Sequence, residues 1–439
     1  MIIKPAKVIQ GQLQLPGDKS ISHRAAMIAS LARGTSCLRD FSNSEDCATT
    51  LSCLRQLGVR VSHDGHVVVI TGTGTLKAPA EPLDCGNSGS TMRLLAGILA
   101  GQTLSATLTG DESLRARPMG RIIEPLEMMG ARVESQAAHA PLIVTGQSPL
   151  AALRYELPVA SAQVKSCILL AALNAEGRTE VIELTPTRDH TERMLQWFGV
   201  PLQITEAADS SGANIALEGP AQFGARDVSI PGDISSAAFF IAAAALLSRS
   251  NLVIENVGLN PTRSQFLSVL RSLGADIENE NIRDQCNEPV GTVRVRGGMS
   301  PAPHGGMTDT KAQSLRGPII PSLIDELPLL AVLGTQIEGG IEIRDAAELR
   351  VKETDRIAAT VANLRAMGAQ VEEYDDGFKV KGPIQLRGAM VDSRGDHRIA
   401  MAFAVAALIA EGESQVEQAE CVAVSFPEFF DLLGSVVVY

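Results

Sequence analysis

Apolar positions along the chain follow a pattern that is written six times. A short phrase recurs: an apolar residue, Gly, then Val or Ala (once Ser), any residue, and an apolar residue. It reads LGVRV at Gly58, MGARV at Gly130, FGVPL at Gly199, LGADI at Gly274, MGAQV at Gly368 and LGSVV at Gly434. Each glycine follows an amphipathic helical pattern and precedes a β-like run, which predicts a glycine that ends a helix and feeds a strand. Before Gly274, Thr262 and Gln265 have capping-box spacing, and Phe266, Val269, Leu270 and Leu273 share one helical face. Before Gly368, Ile357, Val361 and Leu364 repeat that face. A second helix, apolar nearly all round, is predicted once per repeat, at 22–31, 90–99, 162–173, 235–247, 326–333 and 397–408. Such helices belong inside a domain.

Two of these inner helices open almost identically, LPGDKSISHRAAMIASL from Leu15 and IPGDISSAAFFIAAAALL from Ile230. The recurrence falls near the middle of the chain and divides it into two halves of three repeats. Alternating strand and helix patterns predict an α/β fold. The polar, Gly/Pro-rich stretch 279–309 reads as loop insertions that lengthen the fourth repeat.

Composition narrows the function. The 439 residues suit two or three domains at roughly 150 residues each, and 45% are hydrophobic, enough for sizeable cores. Lys and Arg number 38 against 50 Asp and Glu, a formal charge of −12, which lacks the basic footprint of a nucleic-acid binder. One Trp, three Tyr and eleven Phe are too few for long base-stacking platforms. Seven scattered cysteines without C-x-x-C spacing read as reduced thiols. The first residues lack the apolar stretch of a secretory signal. The longest apolar run, 237–247, is about half of the ~20 residues a membrane helix needs.

Candidate chemistry gathers at the predicted helix starts. In the segment Pro16 to Arg24, Lys19 and His23 are i, i+4 neighbours, as are Ser20 and Arg24. Cations there oppose the helix dipole, a local cost that an anionic ligand offsets. Asp84 to Arg93 is a run of small residues that lets backbone approach a ligand, or a plain loop-to-helix turn. Arg115, Arg117 and Arg121 suit bidentate clamps on carboxylate or phosphate, or salt bridges to Asp111 and Glu112. Ser161-Ala162-Gln163 and Thr187-Arg188 open helices and suit either capping or phosphate binding. Lys352, Glu353 and Arg356 share one arc of a predicted helix start, as a proton-handling carboxylate between cations or as a salt-bridge ladder. Asp325-Glu326 beside an apolar run suits a general base or simple dipole complementation. Asp396-His397-Arg398 opens the last inner helix. Helices whose N-termini converge would make a cleft rich in anion-binding sites.

The strings LPGDKSISHR, GNSGSTMR, ARPMG, SAQVKS, RVKETDR, DHRIAM and SFPEF, in this order from residue 15 to residue 429, resemble the 5-enolpyruvylshikimate-3-phosphate synthase family. The resemblance implies two domains, each of three βαβαββ repeats in an inside-out α/β barrel. It places 1–17 with 233–439 in one domain and 18–232 in the other, with hinges near Gly17 and Gly232. It also implies an active site in the cleft between the domains, which closes over the substrates. The implied reaction joins shikimate 3-phosphate and phosphoenolpyruvate, both multiply anionic, with no metal or organic cofactor. Lys19, Arg117, Arg356 and Arg398 would bind phosphoenolpyruvate, helped by Gly89 and Gln163. Ser20, Arg24, Ser161, Ala162, Gln163 and Arg188 would hold shikimate 3-phosphate, with Lys352 reaching its hydroxyls. Asp325 would be the general base at the 5-hydroxyl. Glu353 would handle the proton at C3 of the enol, with Lys19 a rival for part of that work. A cytoplasmic monomer that engages neither nucleic acid nor membrane is expected.

Val424 stands where many members of the family carry a lysine, and Ser161-Ala162 where those members carry two serines. Both features resemble the branch that includes glyphosate-tolerant members, whereas Gly89 keeps the small residue associated with sensitivity. The expectation is that glyphosate competes with phosphoenolpyruvate. Three rival readings fit the sequence less closely. UDP-N-acetylglucosamine enolpyruvyl transferases typically carry a Cys in the Arg-rich loop and Lys-Asn near the start, whereas 110–121 holds no Cys and Ser20 follows Lys19. RNA-terminal phosphate cyclases, built from related repeats, fit poorly with the acidic charge and few aromatics. A non-catalytic anion-binding repeat scaffold is the third.

Overall fold

The computed structural model describes residues 1–206, 212–299 and 312–439. The chain forms two compact units. The first comprises Met1–Leu15, Gly232–Arg283 and Pro289–Tyr439, and the second Pro16–Pro231 with Asp284–Glu288.

Each unit puts its most apolar helices inside and its sheets outside. In the second unit the helix Gly89–Ala100 packs against both Lys19–Leu31 and Ala162–Ala172. In the first, Ile234–Leu246, Leu327–Gly334 and His397–Leu408 touch pairwise. Ile234 through Ala245 are all buried, as are His397 through Leu408. Runs of Ala, Leu, Ile and Phe favour helix and leave no polar side chain stranded. Most of the polarity of these helices lies at their N-termini. Side chains of Asp18, Ser88, Ser161, Asp233 and Asp396 accept from first-turn amides there. Leu327–Gly334 instead opens on Pro328, which needs no amide partner. That helix begins one residue later than predicted, so Asp325 and Glu326 lie in the turn before it.

The sheets repeat one order. Leu83–Asp84 runs parallel to Ser105–Thr109, which pairs antiparallel with His139–Thr145, and Arg132–Gln136 forms the edge. His139–Thr145 alternates buried and exposed positions, one face on the core and one in water. Val228–Ser229, Gly34–Arg39, Val67–Gly72 and Arg60–Asp64 follow the same order. So do Val8–Gln14, Asn251–Gly258, Glu288–Arg296 and Asp276–Gln285. Repeated mixed sheets around inner helices make each unit the α/β fold predicted from the sequence.

Gly58, Gly130, Gly199, Gly274 and Gly368 all have φ between +85° and +102°, the left-handed turn predicted at the helix ends. Gly434 does not: it lies inside the helix Phe429–Val436. The run after it, Val437–Val438, pairs with Val8–Gln14. In the sixth sheet the antiparallel place beside Ser414–Glu417 is filled by Ile2–Ile3, so the N-terminus completes the last repeat. The capping box is also corrected. Asn260 accepts from both the amide and the hydroxyl of Thr262, at 3.0 and 2.9 Å, so the chain turns there and the helix begins only at Gln265. The stretch read as loop insertions is, up to Arg296, the hairpin of Asp276–Gln285 and Glu288–Arg296. Its continuation, residues 300–309, lies outside the described residues.

One close approach sets the geometry of the second unit. A Cβ on Gly97 would stand 2.2 Å from the Cys167 carbonyl oxygen, so Gly89–Ala100 and Ala162–Ala172 meet backbone to backbone.

Candidate active site

In the second unit the cations of the first inner helix are answered at once. Lys19 Nζ donates to Asp46 Oδ2 at 2.7 Å, from the neighbouring helix Glu45–Gln56. The local cost assigned to Lys19 is thus met inside the unit by Asp46 and by the Asp18 cap. Arg24 is buried, and its guanidinium is spread over three donors' worth of contacts. It donates to Thr191 Oγ1 at 2.7 Å, Ser166 Oγ at 3.0 Å and the Ser20 carbonyl at 2.9 Å. Burial brings its pKa down to about 10; Glu192 and Asp18 oppose that shift, while half-buried Arg188 adds to it. Arg188 therefore lies within electrostatic range of Arg24, on the loop before the helix His190–Trp197.

The other two inner helices meet at their starts. Gln163 Nε2 donates to Ser90 Oγ at 3.0 Å, and Gln163 Oε1 accepts from Arg93 at 2.7 Å. Ser161 caps its helix through Val164 N at 3.4 Å, with Ala162 half-buried beside it. Of the Arg-rich loop, Arg117 turns inward, donating to Asn87 Oδ1 at 2.6 Å and Ser113 Oγ at 3.2 Å, while Arg115 is exposed. Gly89 lies between two arginines: a Cβ there would stand 2.6 Å from Arg93 Nη1 and 3.4 Å from Arg117 Nη1. Arg93 joins this cluster although only its motif, not its position, marked it in the sequence. Lys165 does not join it. That side chain is fully buried against Glu183 at 2.9 Å and Glu192 at 2.6 Å. Burial opposes its charge, but the two carboxylates outweigh it and raise the pKa.

His23 lies behind Lys19 and is fully buried. Burial first, then Lys19 and Arg24, push its pKa well below the usual imidazole range, so the ring is neutral. Its Nδ1 is 2.7 Å from Thr50 Oγ1, which is 2.6 Å from Thr91 Oγ1, which donates to Ser88 Oγ at 2.8 Å. This chain of side chains ties three helices together beneath the cluster.

The first unit holds the second cluster. Arg356 is buried at a helix start that Asp355 caps. It meets Asp396 at 2.8 Å, Glu353 at 2.6 Å and Asp325 at 3.4 Å. Burial opposes its charge, but these carboxylates outweigh it and hold the pKa above the ordinary arginine value. Because Asp355 starts the helix, Lys352 and Glu353 precede it and do not share one helical arc with Arg356, contrary to the spacing argument. Glu353 reaches Arg356 all the same. Lys352 is half-buried, and desolvation lowers its pKa against the pull of Asp325 and Glu348. Arg398 rests on Ser235, with Glu326 Oε1 at 3.8 Å. Arg263, which no sequence motif marked, lies 3.6 Å from Asp325 and 3.4 Å from Glu326. Val424 sits half-buried in the short helix Ala419–Val424. Among the described residues no group of three or more His, Cys, Asp or Glu is placed to hold a metal ion. Among the same residues, no single helix is long and apolar enough to cross a membrane.

The family model for EPSP synthase (3-phosphoshikimate 1-carboxyvinyltransferase) matches residues 3–433. The chain belongs to the EPSP synthase family. It is 51% identical to the 3-phosphoshikimate 1-carboxyvinyltransferase of Koribacter versatilis, over 99% of this chain and 98% of that one. It is 48% identical to its counterpart in Synechococcus sp. (strain JA-3-3Ab), over 100% and 96%. The solved EPSP synthase structure from Acinetobacter baumannii superposes with a TM-score of 0.85 at 39% identity, covering 100% of this chain and 98% of that one. Family membership at this identity and coverage disfavours the UDP-N-acetylglucosamine, cyclase and scaffold readings.

Proposed function

We propose that this chain is an enolpyruvyl transferase that joins phosphoenolpyruvate to the 5-hydroxyl of shikimate 3-phosphate and releases phosphate, on the route to chorismate and the aromatic amino acids. The observation that carries the mechanism is a pair of partly exposed carboxylates on one buried guanidinium. Asp325 and Glu353 keep 15% and 20% of their side-chain surface, while Arg356 between them keeps 2%. In this reading Asp325 takes a proton and Glu353 gives one, with Arg356 holding both carboxylates.

In the addition step Asp325 accepts the proton of the 5-hydroxyl as its oxygen bonds to C2 of phosphoenolpyruvate. C3 takes a proton from Glu353, or in part from Lys19, giving a tetrahedral ketal. In the elimination step a C3 proton leaves, the double bond re-forms and the C2–O bond to phosphate breaks. Lys19, Arg117, Arg356 and Arg398, with Gly89 and Gln163, bind phosphoenolpyruvate. Ser20, Arg24, Ser161, Ala162, Gln163, Arg188 and Lys352 hold shikimate 3-phosphate. The work is electrostatic: cations already fixed by hydrogen bonds face charge that develops on the phosphate and carboxylate.

Phosphate release measured with both substrates tests the reading. Release that needs both substrates is expected, and glyphosate inhibition should weaken as phosphoenolpyruvate rises. Release with either substrate alone, or none with both, would count against it. The enzyme acts in the cytoplasm as a monomer, which sedimentation at assay concentration checks.

A further inference from the structure

The second PGD phrase has no work in the mechanism above, yet it repeats a feature of the first. In each, an aspartate caps an inner helix: Asp18 accepts from Ile21 N and Asp233 from Ser235 N, both at 2.8 Å. In each, an arginine donates to the carbonyl of the serine two residues past that aspartate. Arg24 reaches the Ser20 oxygen at 2.9 Å, and Arg398 reaches the Ser235 oxygen at 3.3 Å. The arginine of the first phrase comes from its own helix, and that of the second from another inner helix, His397–Leu408.

Ser235 does more than Ser20 for its arginine. Its hydroxyl accepts from Arg398 Nη1 and donates to Glu326 Oε1, which uses its one proton and bridges cation to carboxylate. One turn along, Phe239 of the same helix places its ring 5.9 Å from the Arg398 guanidinium carbon. Ser235 is 2% exposed and Glu326 is 1% exposed, so neither is open to a substrate. From Glu326 the contacts run on to Arg263 and from Arg263 to Asp325. From Asp325 they pass to Arg356 and then Asp396, whose Oδ1 accepts from the Arg398 amide at 2.8 Å. The contacts close into a ring that includes both Arg398 and Asp325.

We infer that Ser235 is a positioning residue for phosphoenolpyruvate: by bridging Glu326 to Arg398 it fixes the direction in which the Arg398 guanidinium meets the substrate. This rests on the assignment of Arg398 to phosphoenolpyruvate in the proposed function. Without the hydroxyl, the attraction of Glu326 at 3.8 Å is unopposed and draws the fork toward a direct ion pair, away from the substrate.

Wild-type turnover tests the proposed reaction, Arg398→Ala with a raised KM for phosphoenolpyruvate tests the parent assignment, and two variants of Ser235 test this one. Ser235→Ala should raise KM for phosphoenolpyruvate about tenfold, the size expected for one lost charge-assisted hydrogen bond, with KM for shikimate 3-phosphate within about twofold. Ser235→Thr, which keeps the hydroxyl, should return KM for phosphoenolpyruvate to within about threefold of wild type. A merely structural serine would change both KM values together or leave Thr as impaired as Ala. Either result overturns the proposal, as does an Ala variant with unchanged KM for phosphoenolpyruvate. A crystal structure of Ser235→Ala gives a reading independent of turnover. The Arg398 guanidinium should have left its place over Phe239 for Glu326; if it has not moved, the proposal fails even where the parent assignment stands.

Discussion

Gly89 has two arginines where a side chain would otherwise project. A methyl there must displace Arg93 Nη1, 2.6 Å away, and with it the bond to Gln163. Gly89→Ala should therefore raise KM for phosphoenolpyruvate about five- to tenfold, the lower end of an overpacking cost, and leave KM for shikimate 3-phosphate nearly unchanged. Steady-state kinetics with each substrate varied in turn would check it. Asp325→Asn keeps the shape of the proposed base but removes its proton affinity. It should lower kcat by ~10²–10⁴ and move both KM values by less than about threefold. A pre-steady-state measurement of ketal formation would place that loss in the addition step. The cations at these helix starts were legible in the sequence because they stand in short phrases beside apolar runs. Their partners were not. Lys19 meets Asp46 across 27 positions and Arg24 meets Thr191 across 167, distances that only the packed fold sets. Ser235 and Arg263 were equally hidden, since a serine and an arginine carry no periodicity of their own.

At the scale of elements, the inner helices were legible because nothing but burial explains a helix without a polar face. The five positive-φ glycines were legible because only a left-handed turn ends a helix so abruptly before a strand. Gly434 misled because its neighbours match the phrase, while the strand it should feed belongs to another sheet and its place is already taken by Ile2–Ile3. Thr262 misled because Asn260 competes for it. The link from His23 through Thr50 and Thr91 to Ser88 makes a prediction about pH. His23 is held neutral in the folded chain and takes up a proton when the chain unfolds below about pH 6.5. Its folded pKa is lowered, so its contribution is fully present above that pH and is lost as pH falls toward the folded value. His23→Asn should flatten the fall in unfolding free energy between pH 6.5 and about 5, by up to one proton, about 1.4 kcal/mol per pH unit. Urea titrations of wild type and variant across that range would read the two slopes.

At the scale of the whole molecule, the division into units does not follow the order of the chain. Val8–Gln14 lies inside the sheet of the first unit, between Asn251–Gly258 and Val437–Val438, with Ile9 and Leu13 buried. Residues 232–439 expressed without 1–15 lose that strand. Burial of the two side chains alone amounts to about 1.5–3 kcal/mol each, a large share of a typical ~5–15 kcal/mol domain stability. The fragment should melt without a cooperative transition in calorimetry, and a version with residues 1–15 linked to its N-terminus should regain one. The acidic total charge also takes on a local meaning. Arg263, Arg356 and Arg398 stand among Asp325, Glu326, Glu353 and Asp396, so the negative residues of the first unit serve as the frame on which its cations are mounted. Gly97 shows how far such a frame extends. It is about 12 Å along its helix from Gly89, and no ligand would ever see it. Yet the bare hydrogen at that point is what lets two helices lie close enough for Ser90 and Gln163 to join hands. The placing of Ser90 and Gln163 is thus settled in the dry interior, where a survey confined to the residues at the helix starts would never look.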